Sequence, residues 1–133
     1  INPKAEGSVE DSLDVDDLKS LNYLAGVGVA FKLACKLLKE YNKENFVNNI
    51  LPLVAVGTIG DVVELLGENR TLVAMGLELI RNNANKGISK ILSSAGIEDV
   101  SKIQSDNIAF GVVPRINAAG RLESTDFAVK AKC

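Results

Sequence analysis

Ten consecutive residues, LPLVAVGTIG (51–60), carry no charge, and the run stops on a carboxylate, Asp61. A stretch this apolar belongs inside whatever the chain builds, because burial of such side chains is the main favourable term in folding. It is far short of the roughly 20 apolar residues that a membrane-spanning helix needs. Val54, Val56, Ile59, Val62 and Val63 favour a buried strand by propensity, whereas the length and the lack of alternation favour a buried helix. We read a helix to about Ile59 with a break near Gly60. Pro52 suits its first turn, where a missing N–H breaks no intrahelical bond.

The flanking patterns predict further helices. From Ser20 to Tyr41, residues Leu21, Leu24, Val27, Phe31, Ala34, Leu38 and Tyr41 recur at three- and four-residue spacing, with Lys32, Lys36, Lys39 and Glu40 on the wet side. Gly26 and Gly28 weaken that helix, so their expected use is close approach of another backbone. GVGVAF is not a dinucleotide fingerprint, since a third glycine and a clear preceding strand are both missing. NKENFVNNI (42–50) reads as a connector. Asn69 is the expected cap of a helix in which Leu72, Val73, Met75, Leu77, Leu79 and Ile80 face inward. NNANKG (82–87) ends it, and ISKILSSAG (88–96) is a short helix closed by Gly96. Another helix is expected from Asp106 to Pro114 or Ile116, capped by Ser105, with Pro114 as a break or kink and NAAGRL (117–122) as a turn. INPK (1–4) reads as the tail of a strand, and Ser124 or Thr125 as the cap of a last short helix. The fold class is therefore mainly α, with five or six short helices and at most a strand remnant at the N-terminus.

At 133 residues and 47% hydrophobic, the chain suffices for one core and one domain. Its net charge of −2 supplies no global basic field, so any nucleic-acid contact must use a local cluster. Six acids fall in the first twenty residues, and the run AEGSVEDSLDVDDL reads as a solvated loop. Cys35, among Leu33, Ala34, Leu37 and Leu38, reads as a small buried apolar group rather than half of a disulfide; that suits a reducing, cytoplasmic setting. No secretion signal and no membrane span are evident. Both ends read as falling within an element, the pattern expected of an internal piece of a longer protein.

Two places hold candidate chemistry. Asp61 reads either as a helix or turn cap, beside the break at Gly60, or as a metal ligand. An unpaired carboxylate in apolar surroundings is costly unless a cation or hydrogen-bond donors meet it. The chain has no histidine, and the nearby Glu64 only adds like charge. In PRINAAGRL (114–122), Arg115 and Arg121 flank Asn117 and small residues. Small residues let a backbone come near a ligand, and arginine's planar fork suits phosphate; the simpler reading is surface arginines beside a turn. GENR (67–70) reads as loop plus cap.

LAGVGVAFKLA (24–34), VAVGTIGDVVELLGENRTLV (54–73) and FGVVPRINAAGRL (110–122), in this order and spacing, resemble the RecJ family of single-stranded-DNA exonucleases, within the DHH phosphoesterase superfamily. INPK resembles the segment just after that family's DHH motif. The resemblance implies 5′-to-3′ hydrolysis of single-stranded DNA in repair and recombination, using two divalent ions, Mn²⁺ or Mg²⁺. It implies that Asp61 is one metal ligand, and that Arg115, Asn117 and Arg121 line the DNA path, with Arg121 foremost for phosphate. It also implies that residues 1–133 are the C-terminal part of the DHH domain and the following helical connector, excised from an α/β catalytic core. The DHH motif would lie upstream and the DHHA1 motif downstream.

Gly60 and Glu64 stand where the family commonly has Ala and Pro, and the acidic run at 5–18 is longer than the usual link. One carboxylate does not hold two metals, so the piece by itself is expected to be inactive and metal-free. Apolar surface around residues 51–63 is expected to be exposed and to drive self-association. The alternatives are a non-catalytic RecJ-like scaffold of a replication complex, a DHH phosphoesterase for small substrates, and a helical module without a ligand.

Overall fold

A computed structural model describes residues 23–82 and 85–121, with the side chain of Arg121 outside the description. The expected strand remnant, the acidic run, the helix after Ser124 and Cys133 all lie outside the described residues. Within them the chain is helical, and no strand occurs. Helix α1 spans Gly26–Glu40, α2 Val47–Gly60, α3 Gly67–Arg81 and α4 Lys86–Ser94. The fifth, α5 (105–121), runs without interruption through an α-helical turn, Ser105–Asn107, a π-helical turn, Ile108–Val112, and an α-helix, Val113–Arg121.

Helix α2 is the shared wall of two cores. On one side Leu51 and Val54 pack with Leu24 and Leu72, joining α2 to α1 and α3. On the other, Val56 packs with Val73, Leu77, Ile80, Ile88, Leu92, Ile108 and Val112 from α3, α4 and α5. A helix apolar all round is one buried all round, which is why LPLVAV lacks a clean stripe. Leu51, Ile80, Ile88, Leu92, Ile103, Ile108 and Val112 are each at most 2% exposed; burial of each contributes about 1.5–3 kcal/mol before entropy is counted.

The helix begins earlier than the sequence suggests. Val47 opens it, after a 3₁₀ turn at Glu44–Phe46, so half of the expected connector is helical and Pro52 lies inside. The carbonyl that Pro52 leaves without an intrahelical donor is that of Asn48, an exposed residue. The apolar residues of α2 are mostly interior: Leu51, Val54, Ala55 and Val56 are buried, and so is Thr58. That corrects the expectation of an exposed 51–63 surface, which narrows to Asp61 and Val62 at the helix end.

The close helix approach falls at a different glycine from those expected. A Cβ on Gly26 would meet nothing within 4 Å, and one on Gly28 would meet only Leu24 of its own turn. At Gly76, in α3, a Cβ would lie 2.5 Å from the Cβ of Ala55 and 2.6 Å from the carbonyl oxygen of Leu51. Gly76 is the point where α3 lies backbone to backbone on α2. Met75, expected inside, is half-exposed, because the inward line runs through Leu72, Val73, Gly76, Leu77 and Ile80.

Two helix starts also differ from expectation. The N-cap of α3 is Leu66, and Asn69 lies in the first turn, buried. The N-cap of α5 is Gln104 rather than Ser105; its N–H donates to Oδ1 of Asn107 at 2.8 Å. Pro114 does not end α5. The π turn just before it closes with the N–H of Val113 donating to the carbonyl of Ile108. This widened turn accommodates the proline ring, so NAAGR continues as helix rather than turning. Asn85 caps α4 by accepting from the N–H of Ile88 at 3.0 Å, and Gly96, with φ of 78°, follows its end as expected.

Candidate metal and nucleic-acid site

The GTIG segment shapes the end of α2 by leaving out side chains. A Cβ on Gly57 would lie 3.0 Å from Cγ1 of Val27 in α1, and one on Gly60 would lie 3.2 Å from Cγ2 of Val113 in α5. The two glycines thin the last turn, so α1 and α5 close on it from either side. Between α2, α4 and α5 this leaves a cleft of about 420 Å³. Leu53, Val56, Ile88 and Ile116 help to form its apolar wall, and Asp61 and Asn117 stand among its polar groups. Two residues that sequence reasoning placed in separate motifs thus meet at one cleft.

Asp61 is the C-cap of α2, and its N–H donates to the carbonyl of Gly57 at 2.9 Å. The carboxylate is exposed and has no side-chain hydrogen bond or ion pair with any described residue. Among the described residues its oxygens accept from no backbone N–H group, unlike the capping carboxylate of the simpler reading, although Asp61 does occupy the cap position. It also sits at the negative end of the helix dipole, an unfavourable placement worth about 0.3–1 kcal/mol for an exposed charge.

Val62, the next residue, has φ of 54° and is 89% exposed. Helices α1 and α4 are followed at the same position by Asn42, φ 53°, and Gly96, φ 78°, residue types that tolerate this conformation. A β-branched side chain there is a true outlier, at a cost of roughly 1–2 kcal/mol. Strained, poorly paired corners of this kind cluster at functional sites.

Arg115, Asn117 and Arg121 share one helix and divide their tasks. Asn117 faces the cleft. Arg115 donates through Nη1 to the carbonyl of Gly111 at 2.8 Å and through Nη2 to the carbonyl of Ser94 at 3.4 Å. It thereby ties the π turn to the C-terminal end of α4, and it does not line the cleft. Arg121 lies on α5 one helical turn after Asn117.

A divalent ion needs several oxygen or nitrogen ligands. No group of three or more His, Cys, Asp or Glu side chains gathers among the described residues. Asp61, exposed at the cleft and unpaired among the described residues, fits the role of one ligand, and the described residues complete no centre around it. Sequence reasoning missed Asn69, which it took for a cap. This residue is 2% exposed and donates through Nδ2 to the carbonyls of Tyr23 at 2.7 Å and Glu64 at 3.1 Å, while its Oδ1 accepts from the N–H of Ala25 at 3.3 Å. An isolated asparagine beside a helix start gives no sequence signal for such a bridge. Among the described residues, no helix is long and apolar enough to cross a membrane.

No protein-family model matches the chain, and no solved structure matches it significantly. Curated relatives do. The chain is 42% identical over 106 residues to the single-stranded-DNA-specific exonuclease RecJ of Bacillus subtilis, which covers 80% of this chain and 13% of the relative. It is 36% identical over 138 residues to RecJ of Escherichia coli, covering 96% and 24%, and 35% identical over 105 residues to RecJ of Thermus thermophilus, covering 79% and 15%. The chain thus spans between about an eighth and a quarter of the length of these relatives. With blocks from α1, α2–α3 and α5 inside the matched span, the chain belongs to the RecJ family.

Proposed function

We propose that these residues form part of a 5′-to-3′ exonuclease that hydrolyses phosphodiester bonds of single-stranded DNA with two divalent ions, Mn²⁺ or Mg²⁺, in DNA repair and recombination in the cytoplasm. They would comprise the C-terminal part of the DHH domain and the connector after it. The observation that carries this reading is the meeting of Asp61 and Asn117 at one cleft, in a chain whose relatives are named single-stranded-DNA-specific exonucleases.

Asp61 would hold one of the ions, and ligands from outside the described residues would complete the centre. The bound ions supply activation of water and neutralisation of the phosphodiester charge. The chain's own part is positional. The carboxamide of Asn117 offers a donor and an acceptor at the cleft to orient a nucleotide. Arg121, one turn further along α5, offers its planar fork to a phosphate. Two hydrogen bonds leave Arg115 further N–H donors for the DNA backbone. The apolar wall keeps water away from one side of the site, which strengthens polar contacts made there.

With one site carboxylate among the described residues, the 133 residues by themselves would not catalyse. The test is Asp61→Asn in the full-length enzyme. Mn²⁺-dependent release of nucleotides from a long single strand is expected to fall by at least a hundredfold while DNA binding persists. Retention of near-full activity refutes the assignment of Asp61. Activity confined to dinucleotides in the unsubstituted enzyme refutes the substrate.

A further inference from the structure

The corner at Asp61 and Val62 combines an exposed carboxylate with an unfavourable backbone, and such a conformation persists only where its surroundings hold it. The loop that follows, 61–66, supplies little of that hold. Val62 is exposed, Leu66 is 65% exposed, and Gly67 at the far end is again left-handed, with φ of 51°. Among the described residues, backbone bonds outside the helices fix the loop's first two residues: Asp61 donates to Gly57, and Val62 to Ile59 at 3.3 Å. The described side-chain tether further along is Asn69, through Glu64.

Asn69 is well placed to act as a fixed point. It projects from the first turn of α3, and both protons of its Nδ2 are committed to carbonyls of separate segments, Tyr23 before α1 and Glu64 in the loop. Its oxygen holds the N–H of Ala25, the N-cap of α1. One side chain thus joins the start of α1, the loop and the start of α3. The ion pair of Lys32 with Glu68 fastens α1 to α3 beside it. A buried amide with its donors satisfied is costly to disturb, because each group left unpaired loses its partner without regaining water.

We propose that Asn69 is a positioning residue for Asp61: by pinning Glu64 against the start of α1 it holds the Val62 corner left-handed and keeps the Asp61 carboxylate turned to the cleft. This rests on the reading of Asp61 as a metal ligand, and a purely structural Asn69 makes different predictions.

The experiment uses the full-length enzyme and compares Asn69→Ala, the isosteric Asn69→Asp, Asp61→Asn and a destabilised control remote from the corner, Leu77→Ala. Mn²⁺ affinity is measured calorimetrically without DNA, thermal stability in parallel, and amide hydrogen exchange over 61–66. Both Asn69 variants are expected to weaken Mn²⁺ binding about 10- to 100-fold, the range for loss of an outer-shell partner of a metal ligand, and to speed exchange in the loop at least tenfold. Leu77→Ala is expected to lower stability with Mn²⁺ affinity unchanged. Val62→Asn, which tolerates the left-handed conformation, is expected to restore part of the affinity in the Asn69→Ala background. In the unsubstituted protein, the Asn69 side-chain amide protons should exchange as slowly as core amides.

Asn69 variants that lose stability but keep Mn²⁺ affinity, as Leu77→Ala should, overturn the proposal, and so does fast exchange of the Asn69 amide protons. Unchanged Mn²⁺ affinity in Asp61→Asn overturns the ligand reading instead, while loop exchange still tests the clamp.

Discussion

Alanine normally stabilises a helix relative to glycine by roughly 1 kcal/mol. At Gly76 the sign is expected to reverse. The new methyl would lie 2.5 Å from the Cβ of Ala55 and 2.6 Å from the backbone oxygen of Leu51. Carbon–carbon contacts are comfortable at about 3.5–4.0 Å, so α3 would have to withdraw from α2 by on the order of 1 Å. Neither neighbour is the far end of a flexible side chain, and rotamer changes cannot relieve the clash. Insertion of a methyl into a packed core costs about 1–3 kcal/mol, sometimes more, and here both cores that share α2 would loosen. Taking the upper part of that range, the propensity gain leaves a net loss of about 1–2 kcal/mol. For a chain of this size that lowers Tm by roughly 4–7 °C.

Gly120, in α5, is the internal control, since a Cβ there meets nothing within 4 Å. Gly120→Ala should gain up to about 1 kcal/mol. Thermal and urea denaturation of the two variants beside the parent chain suffice as the assay. If Gly76→Ala is as stable as the parent, or more so, α2 and α3 are not packed backbone to backbone at that point.

Two more outcomes are expected. Arg115→Met should lower stability by about 1 kcal/mol in urea denaturation, a charge-assisted bond's worth discounted for exposure; no loss would mean that Arg115 does not tie α4 to the π turn. Burial pushes the Cys35 thiol above its ordinary value, with Lys32 partly opposing. A raised folded value favours the protonated form, so the contribution to stability is complete below the unfolded thiol value and is lost as the pH rises through the folded one. Alkylation of Cys35 near pH 8.5 should accordingly be slower than that of an unstructured cysteine peptide, and an equal rate would contradict its half-buried placement.

Much of the fold was legible in single helices. The stripes of α1 and α3, apart from the exposed Tyr41 and Met75, and the short α4 closed by Gly96 follow from local rules, whereas the cap Asn85 was not anticipated. Where reading failed, a second neighbour was at work. LPLVAV was ambiguous because two cores erase the stripe that one core would leave. Met75 was placed inside because hydropathy cannot see that α3 presents a bare backbone at Gly76. Pro114 was read as a stop because a π turn leaves no compositional mark. In the candidate site, Asp61 and Asn117 were singled out by residue type and setting and given roles by the family resemblance, and their shared cleft became visible only once α2 and α5 were packed. Asn69 was misread because its partners lie 46 and 5 residues away, in carbonyls that carry no sequence identity.

The position of α2 as a common wall bears on how motion reaches the corner at its end. An opening that detaches α1 leaves α2 held by α3, α4 and α5. One that detaches α4 and α5 leaves it held by α1 and α3. The last turn at Gly57–Gly60 is thus expected to be released only when both cores are lost. Asp61 is mounted on the end of a helix held from both sides, while the loop after it begins at once.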